Sequence, residues 1–383
     1  MTAHATGPGL IVLAAGGTGG HVFPAEALAG ELARRGHRLA LVTDSRSRAY
    51  GGALGTLETH VVPAATPAGR NPLGRVFALL RLGTGVLRAR RVLRVLSPAL
   101  VVGFGGYPSV PAVLAARLSK ARSMIHEQNA VLGRANRLLA PGAAAIATSF
   151  PATRGISDHG ADVVQTGNPV REEIKALADA SYQPPTEVGN VRLLVTGGSQ
   201  GARALGRTVP AALALLPDSL RRRLYVSQQC REEDTNEARA TLAKAGVAGE
   251  VATFFEDIPT RLASAHLVVS RAGASTVAEL AAAGRPALLV PYPHATDRHQ
   301  DENARQFASA GGAEVMAEAE MNPDTLAARL RDLLGDSERL ETMARAATRF
   351  ARPEAASALA DVAEQVIATG HATSPTDMAG GAA

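Results

Sequence analysis

The chain has 383 residues, 46% of them hydrophobic and 20% charged, with a formal net charge of +5. That length exceeds one ordinary hydrophobic core, so two domains are expected. Aromatic residues make up only 3% and tryptophan is absent, which argues against a stacking platform for single-stranded nucleic acid. The lone cysteine, Cys230, can form no internal disulfide and reads as a packing residue in a reducing compartment.

The N-terminus carries no basic region ahead of its first apolar run, so no signal peptide is read there. GLIVLA (9–14) reads as a buried strand running into a soft turn, LAAGGTGGH. PAEALAGELARRG (24–36) is an amphipathic helix closed by glycine, and RLALVTD (38–44) is a second strand ending in Asp44, read as a surface residue. From Thr59 to His126 there is no Asp or Glu, yet the stretch holds Arg70, Arg75, Arg81, Arg88, Arg90, Arg91, Arg94, Arg117, Lys120 and Arg122. Such a one-sided field calls for an anionic partner: nucleic acid, an acidic bilayer surface or a phosphorylated substrate. Inside it, NPLGRVFALLRLGTGVLRARRVLRVL (71–96) interleaves Val76, Phe77, Leu79, Leu80, Leu82, Val86 and Leu87 with arginines. No apolar run reaches the roughly 18 residues a spanning helix needs, since glycine and proline interrupt the nearest candidate, PALVVGFGGYPSVPAVLAARL (98–118).

ALVVGFGG (99–106) and SMIHEQN (123–129) are further strands, with the helical VPAVLAARLSKA (110–121) between them. The Gly-Asn-Pro of VVQTGNPVREE (163–173) breaks regular structure and marks the domain boundary. The pattern then restarts: strand VRLLVTGG (191–198), helix ARALGRTVPAALALL (202–216), and strands LYVSQQC (224–230), HLVVSRAG (266–273) and PALLVPYP (286–293). Strands separated by helices of this length imply parallel βαβ units. HATSPTDMAGGAA (371–383) reads as a flexible tail.

IVLAAGGTGG and LLVTGGSQGA set the same device at the head of each half: a buried strand, a Gly-Gly-hydroxyl-x-Gly turn, then a helix. Such a turn exposes backbone N–H groups at the positive end of a helix dipole, and glycine lets an oxyanion approach them. A plain tight βα turn is the bland alternative, and it weakens when two matched turns recur. Neither turn fits the dinucleotide fingerprint G-x-G-x-x-G, and no G-K-[ST] follows either. His21 stands at the entrance of the first helix, where the dipole favours the neutral ring. A neutral imidazole can accept a proton, so His21 is the candidate general base. A loop-shaping hydrogen bond is its alternative role, and Glu127 is the rival base.

GGTGGHVFPA, FGGYPSVP, HEQNAVLGRANR, GNPVR, GGSQGAR, SRAGASTVAELAAAGRPALLVPYP and DRHQDENA stand in the order and spacing of the GT-B glycosyltransferases. From Leu10 to Ala368 the chain resembles, more narrowly, the family 28 transferases of bacterial peptidoglycan synthesis. Phe255 departs from the pattern, standing where an aliphatic residue is common. The resemblance implies an α/β GT-B fold, two Rossmann-like domains with parallel sheets facing an interdomain cleft. Residues 1–166 would form the acceptor and membrane-binding domain and 167–370 the UDP-sugar-binding domain, the last helix being able to pack back on the first.

The resemblance further implies inverting transfer of GlcNAc from UDP-GlcNAc to the C4 hydroxyl of MurNAc in undecaprenyl-pyrophosphoryl-MurNAc-pentapeptide. No cofactor is implied. The implied partners are the UDP-GlcNAc donor, the lipid acceptor, an anionic membrane surface at the cytoplasmic face of the plasma membrane and other cell-wall enzymes, with no nucleic acid. Thr18, Gly19, Gly20, Asn129, Arg171, Ser199, Phe255, Ala274, Ser275, Thr276, Glu279 and Gln300 would contact UDP-GlcNAc. Among them, Ala274–Thr276 would meet the diphosphate, Glu279 the ribose, Arg171 and Ser199 the phosphates, and the backbone at Phe255 the uracil. Val76, Phe77, Leu80 and Arg81 would dock on the membrane. No D-x-D is present, and HATDRHQDE (294–302) reads as a solvated loop, so no protein-bound metal is expected. A UDP-GlcNAc epimerase or another GT-B UDP-sugar transferase is the rival enzyme, and a nucleic-acid binder the non-enzymatic rival.

Overall fold

A computed structural model of the chain describes residues 9–17, 19–45, 52–66, 71–157, 160–198 and 201–372. They divide into two compact units, one running to Val170 and resuming at Glu354, the other Arg171–Pro353. In the first unit the strands are β1 (Leu10–Ala14), β2 (Arg38–Thr43), β3 (Glu58–Val61), β4 (Leu100–Gly103), β5 (Ser123–Glu127), β6 (Ala145–Thr148) and β7 (Asp162–Gln165). Among the described residues they form one sheet, parallel throughout, in the order β3-β2-β1-β4-β5-β6-β7. Ile11 lies opposite Leu39 on one side and Leu100 on the other.

Helices cover both faces of this sheet, which is why β1 is apolar from end to end instead of alternating. Ile11 and Leu13 pack with Leu28, Leu32, Leu359, Val362 and Val366. Val12 and Ala14, pointing the other way, pack with Leu82, Leu93, Val110 and Val113. Gly85 lets the helix Pro72–Leu96 lie directly on the chain beneath it, since a Cβ there would come 1.9 Å from the Pro63 carbonyl oxygen. Asp44, at the end of β2, is buried and not the surface residue expected from its place in the sequence.

The helix Ala355–Thr369 belongs to this first unit, the packing back that the resemblance allowed, and the division falls between Val170 and Arg171, about four residues beyond the expected boundary. Its apolar residues complete the face begun by the helix Gly19–Arg34, and a charged clamp fixes the pairing. Arg35 donates from Nη1 to Asp361 (2.6 Å) and Glu364 (2.7 Å), from Nη2 to Ser357 Oγ (2.8 Å), and from Nε to Glu31 (2.7 Å). These partners hold its guanidinium above the usual arginine range against the cost of burial. Replacing Arg35 with Met should lower stability by about 1–3 kcal/mol, discounted for the partly exposed acids. A thermal melt of the variant is the check, and an unchanged midpoint would show that apolar packing alone seats this helix. Of the tail read over 371–383, His371 and Ala372 are held at Asp162, whose carboxylate accepts from the Ala372 N–H (2.8 Å), and residues 373–383 lie outside the described residues.

The second unit repeats the plan with β8 (Val191–Thr196), β9 (Leu224–Gln229), β10 (Ala248–Ala252), β11 (Leu267–Ser270), β12 (Ala287–Leu289) and β13 (Ala313–Val315). Among the described residues these pair in parallel in the order β10-β9-β8-β11-β12-β13. Leu193, Val195, Leu205, Leu213 and Leu330 centre its core. Cys230 sits in that core, and burial pushes its thiol up to about 11, as an inert packing residue requires.

In each sheet the strand order reverses once near the middle, between β1 and β4 and between β8 and β11. Loops leaving the carboxyl ends of those strand pairs diverge to opposite faces, and such open sheets take ligands in the gap that results. The first gap is flanked by the turn after β1 and by Gly105 and Gly106. The second is flanked by the turn after β8 and by Arg271–Gly273. Both glycine turns singled out in the sequence therefore stand at switch points.

Candidate active site

In the first unit, β1 ends at Ala14 and the chain turns through Gly17 (φ +91°) into the helix Gly19–Arg34. Gly16 is architectural, because a Cβ there would lie 2.8 Å from Pro108 Cβ and 2.9 Å from Thr43 Oγ1. Gly19 and Gly20 open the helix, with Gly20 exposed. Thr18 lies outside the described residues. The His21 ring lies over Gly105 and Gly106, whose φ values of +77° and +66° suit glycine. A Cβ would come within 3.4 Å of the ring at Gly105 and 3.2 Å at Gly106. His21 Nδ1 makes a hydrogen bond of 2.9 Å with Gln128 Oε1.

Glu127, the rival base, is buried at the end of β5. Its Oε1 accepts from the Asn129 backbone N–H (3.0 Å) and Asn129 Nδ2 (3.2 Å). Its Oε2 accepts from the Gly133 N–H (2.8 Å) and Asn136 Nδ2 (2.8 Å). Four donors on two oxygens fill the lone pairs a base would use, so the geometry makes Glu127 the peg of the 127–136 loop. Asn129 correspondingly spends its amide nitrogen on Glu127. Sequence reading passed over Gln128, His126 and Asn136, although all three stand in motifs it quoted.

In the second unit, the turn after β8 is anchored by Gln229, which sequence reading also missed. Its Oε1 accepts from Thr196 Oγ1 (2.8 Å) and the Gly197 N–H (3.0 Å), and its Nε2 donates to the Gly198 (3.3 Å) and Thr253 (3.2 Å) carbonyls. Ser199 lies outside the described residues. The loop after β11 leads into the helix Ala274–Ala282, whose cap residue Gly273 is extended and supplies no side chain. The first-turn N–H groups of Ala274, Ser275 and Thr276 thus face outward at the positive dipole end, an anion-binding arrangement. Ser275 Oγ is buried and has no hydrogen-bond partner among the described residues.

Glu279 stands four residues beyond Ser275, on the same side of that helix. Arg171 Nη2 donates to Glu279 Oε1 at 3.1 Å, so two residues assigned to different parts of a nucleotide are in contact. Burial pushes the Glu279 carboxyl above the usual carboxylate range, and Arg171 pulls it back. Gln300 joins two loops, its Oε1 accepting from the Tyr292 (2.9 Å) and Ala272 (3.2 Å) N–H groups. Just before it, Asp297 and Arg298 take left-handed backbone (φ 53° and 54°), a strained pair of the kind that collects at binding sites.

The Phe255 ring is buried, with the Arg261 guanidinium 3.9 Å from the ring centroid, so the contact expected of its backbone does not draw on the side chain. Its neighbour Phe254 is the exposed one. In the 294–302 segment, His299 Nδ1 bonds to the Thr296 carbonyl (2.8 Å) and Arg298 to Asp301 (3.0 Å). Among the described residues no group of three His, Cys, Asp or Glu side chains could hold a metal ion.

The helix Pro72–Leu96 is capped at its start by the Asn71 side chain, which accepts from the Gly74 N–H (2.7 Å). Ala78, Leu82, Ala89 and Leu93 face the core, while Phe77 is 71% and Leu80 62% exposed. Val76, Leu79 and Leu87 are also exposed, and so is Arg81. Of the apolar residues interleaved with arginines, Leu82 is buried and Val86 half-buried. Among the described residues no helix is long and apolar enough to cross a membrane.

Two family models match the chain: the glycosyltransferase family 28 N-terminal domain over residues 11–148 and its C-terminal domain over residues 192–366. A Rhodospirillum centenum protein is 53% identical over 368 residues, 96% of this chain and 97% of its own. Its name is UDP-N-acetylglucosamine--N-acetylmuramyl-(pentapeptide) pyrophosphoryl-undecaprenol N-acetylglucosamine transferase. A Brucella suis protein of the same name is 49% identical over 94% of both chains. Among solved structures, MurG of Acinetobacter baumannii superposes with a TM-score of 0.75 at 30% identity, covering 94% of this chain and all of that one. A UDP-N-acetylglucosamine 2-epimerase shares the fold alone, with a TM-score of 0.64 at 12% identity over 95% of this chain and 96% of that one.

Proposed function

This chain belongs to glycosyltransferase family 28, and from that premise we propose that it transfers N-acetylglucosamine from UDP-GlcNAc to undecaprenyl-pyrophosphoryl-N-acetylmuramoyl-pentapeptide. The observation that carries this reading is near full-length likeness, at about half identity, to transferases of that name. The second unit holds the donor. The N–H groups of Ala274, Ser275 and Thr276, with Arg171, meet the diphosphate, Glu279 takes the ribose hydroxyls, and the Gln300 nitrogen reads a sugar hydroxyl. The turn at Gly19 and Gly20 and the His21 ring serve the acceptor side.

Chemically, the C4 hydroxyl oxygen of the acceptor sugar attacks the anomeric carbon and forms the new bond. The bond to UDP breaks, its electron pair leaving on the diphosphate, and the hydroxyl proton passes to His21. One displacement inverts the anomeric configuration. Helix N-termini and a fixed guanidinium stabilise the charge that develops on the leaving group. The test is incubation with UDP-GlcNAc and a short-chain lipid acceptor, following UDP release and disaccharide. Turnover of UDP-GlcNAc with no acceptor present would instead make the chain an epimerase.

The exposed apolar side chains of the helix Pro72–Leu96, set among arginines, are the face that reaches a lipid substrate at the cytoplasmic surface of the membrane. Anionic lipid rewards basic residues at about 1 kcal/mol each near the surface, and shallow insertion of Phe77 and Leu80 adds to that. Binding to vesicles containing acidic lipid should fall with added salt and with Phe77→Ser and Leu80→Ser together. Wild-type protein that ignores such vesicles at low salt would remove this face as the docking surface.

A further inference from the structure

The hydrogen bond at His21 is the half-buried end of a chain of four groups whose other members are buried, and each link permits only one direction. An amide oxygen accepts and never donates, so the 2.9 Å contact of Gln128 Oε1 with His21 Nδ1 needs a hydrogen on Nδ1. Which end of the Gln128 amide is oxygen follows from its other contacts. Gln128 Nε2 lies 3.1 Å from the His126 carbonyl oxygen and 3.0 Å from His126 Nδ1. A flipped amide would set oxygen against that carbonyl, lone pair to lone pair. Gln128 Nε2 is therefore the donor, and His126 Nδ1 receives it as a bare nitrogen.

The remaining hydrogen of His126 sits on Nε2, which is 3.1 Å from the Gly167 carbonyl oxygen, again a group that only accepts. Ser149 Oγ, 3.3 Å from the same nitrogen, is a hydroxyl that can turn to suit. His126 and Gln128 are buried, and burial holds the His126 ring down to about 4, so it stays neutral and keeps its Nδ1 lone pair near pH 7. Read outward from Gly167, the hydrogens run in one sense through His126 and Gln128 to His21. Gly105 and Gly106, packed under the ring, resist its rotation out of this alignment.

We propose that Gln128 and His126 are positioning residues that fix His21 in its Nδ1–H tautomer, so that Nε2 is bare and faces the acceptor hydroxyl. Histidine in water favours the opposite tautomer, with hydrogen on Nε2, which could accept no proton at that nitrogen. The chain reverses that preference without any carboxylate: its far anchor is a backbone carbonyl. The proposal rests on the reading of His21 as the base, and in it the acceptor proton arrives at Nε2 while Nδ1 keeps its own.

Nitrogen-15 NMR of the full-length protein with labelled histidine tests this directly, the His21 signals being assigned by their loss in His21→Ala. Wild-type protein should show a hydrogen-bearing Nδ1 and a bare Nε2 at His21. Gln128→Leu should shift that signature toward Nε2–H and lower kcat on the order of tenfold, with KM for UDP-GlcNAc little changed. A wild-type spectrum with the hydrogen on Nε2 overturns the proposal, as does a Gln128→Leu enzyme with unchanged kcat. Near-normal kcat in His21→Ala would end the base reading separately, since the tautomer is measured without turnover.

Discussion

His21→Ala is expected to lower kcat about a hundredfold or more, the ordinary worth of a positioned general base, while leaving KM for UDP-GlcNAc nearly unchanged. The split follows from where the groups sit. The donor contacts proposed above are mostly in Arg171–Pro353, whereas His21 stands in the other unit, beside the turn after β1. The close backbone approach to Pro108 and Thr43 is made at Gly16, so truncation of His21 to alanine does not touch it. Glu127 offers no substitute base, since its two oxygens already accept four hydrogen bonds. A variant with near-normal kcat would return His21 to loop architecture and reopen the search for the base.

What was legible in the sequence was what burial on both faces imposes. β1, β4 and β11 are near-continuous apolar runs because helices cover each side, and a run such as LIVLA needs no partner to be recognised. Edge strands carry no such signal: β3 is Glu-Thr-His-Val and β10 is Ala-Gly-Glu-Val-Ala, extended because a neighbour pairs with them. The glycine turns were legible because a switch point needs backbone that approaches closely. The residues that hold them were not. Gln128 meets His21 across 107 positions and Gln229 meets Gly197 across 32, so an isolated amide in the sequence gives no sign of its partner. The helix Ala355–Thr369, whose Asp361 pairs with Arg35 across 326 positions, returns over a like distance, and the family resemblance alone allowed for it. Asp44 was misread for a related reason, since a polar strand end reveals its burial only once the layers above it are placed.

Glu279→Gln should raise KM for UDP-GlcNAc roughly tenfold to a hundredfold with a smaller change in kcat, because a neutral amide forfeits charge-assisted hydrogen bonds worth about 1.5–3 kcal/mol. The contact with Arg171 complicates the cause. Removing the charge also takes away the partner that Arg171 donates to at 3.1 Å, so the guanidinium proposed to meet the diphosphate could drift. A raised KM therefore does not by itself separate a ribose contact from a misplaced arginine. A donor lacking one ribose hydroxyl does separate them, used as the second arm of a double-variant cycle. If Glu279 takes the ribose, wild-type enzyme penalises the 2′- or 3′-deoxy donor, and the Gln variant largely loses that penalty because the partner is already weakened. If Glu279 acts only by holding Arg171, both enzymes penalise the deoxy donors equally, and Arg171→Ala reproduces the whole effect of Glu279→Gln. Equal penalties in both enzymes would remove the ribose assignment and leave Glu279 as the counter-charge of Arg171.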